Sequence, residues 1–84
     1  MNILELNIDL DNSLSVSQTN KFWDEFILDA IEKNNLQYGG LNHGFVEPSG
    51  DFIIGESHSE LIQSWLKSRD EVISFSVRII EDAT

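Results

Sequence analysis

Two segments, one near each end of the chain, alternate apolar and polar residues with a period of two, and nothing else in the sequence limits the fold as strongly. Leu4, Leu6, Ile8 and Leu10 alternate with Glu5, Asn7, Asp9 and Asp11, while Ile73, Phe75, Val77 and Ile79 alternate with Ser74, Ser76 and Arg78. Successive side chains of an extended strand point to opposite faces, so each segment predicts a strand with one covered face and one wet face.

Inside these strands lie two helical patterns. Ser15 and Gln18 have the S-x-x-Q spacing in which each side chain satisfies the other's free amide at a helix start, with Ser17 as a competing cap. Phe22, Trp23, Phe26, Ile27, Ala30 and Ile31 then recur as adjacent pairs four apart, a broad buried stripe on a helix that runs to about Asn35. Lys33 falls in its last turn, where the helix dipole favours a cation. The second pattern opens on Ser57-His58-Ser59-Glu60, read as another capping box. It repeats the stripe at Leu61, Ile62, Trp65 and Leu66 and closes on Lys67, Arg69 and Asp70-Glu71. Trp23 and Trp65 fall among aliphatics at helical spacing, which makes them core anchors.

The stretch from Leu36 to Ser57 joins the two halves and holds the only proline, Pro48. Gly39-Gly40 reads as the stop of the first helix, with Leu36 and Tyr38 closing the end of the core. Gly44-Phe45-Val46-Glu47 and Phe52-Ile53-Ile54-Gly55 read as two short strands, and Pro48-Ser49-Gly50-Asp51 as the turn between them. The order is therefore β, α, β, β, α, β. That is the ferredoxin-like split β-α-β arrangement of the α+β class: a four-stranded antiparallel sheet, two helices on one face, the first strand in the middle. We expect a single domain over residues 1–84, with a fraying tail from Glu81 to Thr84.

Charge restricts the function. Fifteen acids against five bases give a net charge of -10, so the domain repels phosphate and anionic lipid. Direct nucleic-acid binding and a membrane role are disfavoured. The open sheet face is expected to carry Glu5, Asn7, Asp9, Ser74, Ser76 and Arg78, acids where an RNA-binding sheet needs bases. The absence of cysteine suits a reducing compartment, and the amino-terminal segment has neither the bases of a secretory leader nor an apolar run of membrane-spanning length. A cytoplasmic protein, monomeric or weakly dimeric, is the expectation.

No constellation points to an enzyme. Ser57 and Ser59 are read as helix caps rather than nucleophiles. A metal reading would recruit His43 or His58 with Glu47, Glu56 or Glu60, but no third ligand clusters with either pair. His43 is read as a loop residue beside Gly44 and His58 as a first-turn helix residue. No metal or cofactor is expected. The candidate contact residues are the helix acids Asp24, Glu25, Asp29 and Glu32, together with Phe45 and Glu47 on the hairpin. The acids read either as a solvated face or as a docking surface for a basic protein surface. An alternative reading is a small acidic inhibitor or nucleic-acid mimic that blocks the basic cleft of a nucleic-acid-handling complex, as an anti-CRISPR or anti-restriction protein does. Phe45 and Phe52 are contact residues if they point outward.

The run FILDAIEKNNLQYGG, then HGFV, a glycine-bearing strand, and ESHSELIQSWLKSRDEV followed by a strand, resembles the YggL family of small bacterial ribosome-associated proteins. The likeness covers roughly Phe22 to Val77. It includes an F-I-x-x-x-I-E-x-N-x-L helix end, a glycine turn, an aromatic hairpin and a helix that closes on Trp65-Leu66 near a basic residue before Asp70-Glu71-Val72. The resemblance implies an α+β domain that associates with the ribosomal large subunit without catalysing a reaction. Longer members begin with a lysine- and arginine-rich segment, whereas this chain starts at its first strand. The counterion release that dominates RNA affinity then lacks an evident source.

Overall fold

The computed structural model describes residues 1–81. Four strands and two helical regions occur: β1 (Ile3–Leu10), α1 (Val16–Glu25) continued by a π-helical segment (Phe26–Ile31) and a 3-10 turn (Glu32–Asn34), β2 (Leu36–Gly40), β3 (His43–Pro48), α2 (Glu56–Lys67) and β4 (Val72–Ile80). The strands form one antiparallel sheet in the order β2-β3-β1-β4, the split β-α-β topology the sequence predicts, with β1 in the interior. Expected fraying of Asp82, Ala83 and Thr84 lies outside the described residues.

The core is the covered face of β1 under α1. Leu4, Leu6, Ile8 and Leu10 are buried, and so are Phe22, Phe26, Ala30 and Ile31 from the helix opposite. Phe22, Phe26, Trp23, Trp65 and Tyr38 then interlock: Phe26 lies 5.2 Å from Tyr38 and 5.4 Å from Trp65 between ring centroids, and Phe22 lies 5.5 Å from Trp65. Trp23 and Trp65 are half-buried and packed against this cluster, the anchoring role expected of them.

Local chemistry sets the boundaries. The α1 capping box is intact: the Ser15 amide donates to Gln18 Oε1 (2.8 Å) and the Gln18 amide to Ser15 Oγ (3.1 Å). The helix keeps α geometry only to Glu25. Beyond it the turn widens, so that Ala30 and Ile31 are both buried below Phe26 and Leu28 faces solvent. Asn35, in the left-handed region at φ 58°, ends the helix, and the Asn34 side-chain amide satisfies the Ala30 carbonyl (3.0 Å).

Five details correct the reading from sequence. Gly39 and Gly40 do not stop the helix but belong to β2. The hairpin pairs Leu36–Gly40 with His43–Pro48, leaving Phe52–Gly55 out of the sheet. The cause is occupancy: β3 already has β2 on one side and β1 on the other, so a strand at Phe52–Gly55 has no free edge of β3 to join. That segment instead drops Ile54 into the core and stacks Phe52 on the His58 ring at 5.3 Å. Gly40 adopts φ +120° at the hairpin turn, and Gly44 faces the Tyr38 ring so closely that a Cβ would lie 2.6 Å from its hydroxyl.

The α2 cap is also displaced. Gly55 is the N-cap in place of Ser57, and its amide donates to His58 Nδ1 (3.1 Å), so the imidazole at the third helical position does the work the sequence reading gave to Glu60. Ser59 is buried and accepts from the Gln63 side chain at 2.9 Å. His43 is the first residue of β3 rather than a loop residue. Finally, the β1–β4 register shifts after Asp9: Asp9 pairs with Ser74 but Leu10 with Val72, so Ile73 is the extra residue of a bulge. It is 63% exposed, whereas Phe75, Val77 and Ile79 keep the covered side.

The bulge yields a measurable contrast in denaturant unfolding. Phe26→Ala empties a buried site and should cost ~3–5 kcal/mol, whereas Ile73→Ala should cost less than about 1 kcal/mol. A loss at position 73 comparable to that at position 26 would place Ile73 in the core and refute the register.

Candidate docking surfaces

Both helices cover one side of the sheet, and this separates the candidate contact residues into two groups. Asp24, Asp29 and Glu32 are exposed on the first helical region, with Leu28 among them, 60% exposed. Leu28 lies four residues after Asp24 and four before Glu32, which puts an apolar side chain between carboxylates on one helix surface. Phe45 and Glu47 lie on the uncovered face of β3, in the other layer. The structure therefore does not bring all six residues together.

Glu25 differs from its neighbours. It pairs with Arg69, which also holds Glu71 through Nη2 (2.9 Å) and Nε (3.2 Å). The Arg69 guanidinium lies 4.9 Å from the Trp65 ring, so one side chain ties the end of α1, the end of α2 and the entry to β4. Hydrogen bonds from Arg69 hold the Glu71 carboxyl below its ordinary range, and those carboxylates, Glu71 foremost, raise the pKa of Arg69.

The uncovered sheet face is more mixed than its pattern suggests. Glu5 meets His43 Nε2 at 3.1 Å and pairs with Arg78, bridging the two strands that flank β1. Hydrogen bonding to His43, then to Arg78, lowers the pKa of the Glu5 carboxyl. Phe45, opposite Glu5, is 38% exposed and packs edge-on against His43 at 5.4 Å. Phe52, by contrast, packs against the core and is not an outward contact. At the turn end of this face lies an open groove of about 410 Å³ lined by Asn7, Asp9, Asn42, His43, Ser74 and Ser76 among others. Its lining combines amide, hydroxyl, carboxylate and imidazole groups with apolar surface from Ile8 and Phe75.

Among the described residues, no group of three or more His, Cys, Asp or Glu side chains converges on a point that suits a metal ion. No helix among them is long and apolar enough to cross a membrane. Burial pushes the Tyr38 hydroxyl up to about 12, and its proton is donated to the Leu41 carbonyl (2.5 Å), a structural role at the hairpin turn. Sequence reasoning missed the exposure of Leu28 and the Glu5–His43 contact. Its position off the paired stripe was the available signal for Leu28. None existed for His43, because its partner is fixed only by the β1–β3 register.

Fold and surface together define a small acidic α+β module with one helix-covered sheet face and one open one. The family described as YggL 50S ribosome-binding protein matches residues 4–84, and the chain belongs to that family. Neither the curated proteins nor the solved structures yield a match.

The Arg69 junction makes stability depend on pH with a definite sign. Glu71 has a lowered folded-state pKa, so its contribution is present above the ordinary carboxylate value, near 4.5, and is lost as pH falls through the lowered value. Arg69→Met should remove on the order of 1–2 kcal/mol at neutral pH, a figure reduced by solvent screening because the pair is partly exposed. It should also flatten the loss of stability below pH ~4.5, read by urea denaturation across that range. An acid limb as steep in Arg69→Met as in the parent chain would show that other carboxylates carry it.

Proposed function

We propose that this protein is a non-enzymatic, cytoplasmic binding protein that associates with the large ribosomal subunit by docking its carboxylates on a positively charged protein surface. The observation that carries the reading, given the family, is the exposed row Asp24, Leu28, Asp29 and Glu32. An apolar side chain among carboxylates provides a desolvated centre and a charged surround, the arrangement in which a few residues dominate binding energy. Phe45 and Glu47 form a second contact on the opposite layer. Glu25 belongs to the same helix row, but its carboxylate is already committed to Arg69 and contributes mainly by holding the helix in place.

Electrostatics decides between protein and RNA as the immediate partner. Arg69 and Arg78 are both held by carboxylates, which leaves Lys21, Lys33 and Lys67 as the remaining cations, all exposed and outnumbered. Phosphate contacts would displace few counterions from such a surface. A basic ribosomal protein gains from it instead, both in rate of encounter and in orientation. The decoy reading draws on the same carboxylates, and the family favours the ribosomal one.

Sucrose-gradient sedimentation at low salt tests the reading. The protein should comigrate with large subunits, and the triple charge reversal Asp24→Lys, Asp29→Lys and Glu32→Lys should weaken that association by about ten-fold or more while leaving the circular dichroism spectrum intact. Phe45→Ala with Glu47→Lys should weaken it less. Protein that remains at the top of the gradient would refute ribosome association, and an unaffected triple variant would remove the helix row from the interface.

A further inference from the structure

β4 is an edge of the sheet, and the direction of its backbone groups follows from the pairing. Residues in an antiparallel sheet turn their N–H and C=O groups alternately towards one neighbour and the other. The Ile8 amide donates to the Asn42 carbonyl (2.7 Å) on the β3 side. Ile3, Glu5, Asn7 and Asp9 therefore turn towards β4, opposite Ile80, Arg78, Ser76 and Ser74. Phe75, Val77 and Ile79 in turn point their N–H and C=O away from β1, on the side where no other described strand lies. Their side chains are only half-covered where they pack against the core.

Ordinary protection of a sheet edge is weak here. β4 is nine residues long and contains neither proline nor lysine; its one charged side chain, Arg78, lies on the uncovered face and is held by Glu5. The bulge at Ile73 bends only the beginning of the strand. The other edge, β2, is five residues long and ends in two glycines.

We infer that the β4 edge is a strand-addition site for an extended, basic segment of a partner protein. Such a segment pairs with the outward groups of Phe75, Val77 and Ile79 and completes the cover over their side chains with its own alternate apolar residues. Charge selects against a second copy of this chain. Asp70 and Glu71 precede the strand and Glu81 follows it; Glu71 is held by Arg69, whereas Asp70 and Glu81 are exposed, so antiparallel self-pairing brings the acidic start of one copy's strand near Glu81 of the other at both ends. Parallel self-pairing brings like ends together, and each copy carries a net charge of -10. A segment with lysine or arginine at both ends meets carboxylates at both ends. The identity of the partner as a large-subunit protein rests on the proposed function; the chemistry of the edge does not.

The test uses the isotope-labelled full chain and a synthetic peptide of alternating valine and threonine with two lysines at each end. The same peptide with glutamates in place of the lysines is the control. Residue-resolved amide exchange should slow by about ten-fold or more at Phe75, Val77 and Ile79 with the lysine peptide and stay unchanged with the glutamate peptide. No protection from either peptide overturns strand addition. Equal protection from both overturns the charge rule, and protection that grows with protein concentration alone overturns the choice of partner in favour of a second copy. Val77→Pro removes an outward N–H without touching the bonds to β1, while Val77→Thr keeps both shape and N–H. The proline variant should lose peptide protection and bind purified large subunits about ten-fold more weakly, with the threonine variant unaffected in both. A proline variant that binds subunits normally overturns the edge as the ribosomal contact. A parent chain that fails to bind subunits refutes the proposed function instead, and the peptide arm still decides the edge; that arm also stands if the proline variant misfolds.

Discussion

Packing of the covered face of β1 against Phe22 and Phe26 is the interaction on which the rest of the molecule depends. Leu4, Leu6 and Ile8 meet the aromatic stripe, and the only buried polar side chain among the described residues is that of Ser59. A core so uniformly apolar sends the described carboxylates to the surface, because an unpaired buried charge costs far more than an apolar contact returns. The same packing thus gives the domain its cohesion and its anionic exterior.

That exterior is not uniform. Two arginines are spent on holding elements together, Arg69 across the helix ends and β4, Arg78 across β1 and β4. Their partners, Glu25, Glu71 and Glu5, are anionic in sequence but committed in structure. Asp24, Asp29 and Glu32 remain exposed around Leu28, and this distinction between committed and available carboxylates is what the charge count of the chain conceals. The open sheet face and the β4 edge add contact chemistry of a different kind, an aromatic ring and unpaired backbone beside it.

The topology was legible because its signals are periodic. Alternation at Leu4–Leu10 and the paired helical stripes are dictated by burial, and burial is what the sheet and helices satisfy. The hairpin was not legible in detail. Leu36-Gln37-Tyr38-Gly39-Gly40 resembles a helix exit, and Pro48-Ser49-Gly50-Asp51 carries the stronger turn chemistry, yet strand pairing is decided by which edges are free, a property of the whole sheet. The same holds for Ile73, whose alternation is correct locally but is reset by the bulge in its pairing with β1. For the contact surface, composition showed that acids dominate, while the commitment of Glu25 to Arg69, 44 residues away, had no local trace.

The central claim is that this acidic module meets the large subunit through protein rather than RNA. A photoreactive benzophenone side chain in place of Leu28, irradiated in the presence of purified large subunits, tests it most directly. The account predicts adducts with basic ribosomal proteins, and adducts found only on ribosomal RNA would contradict it.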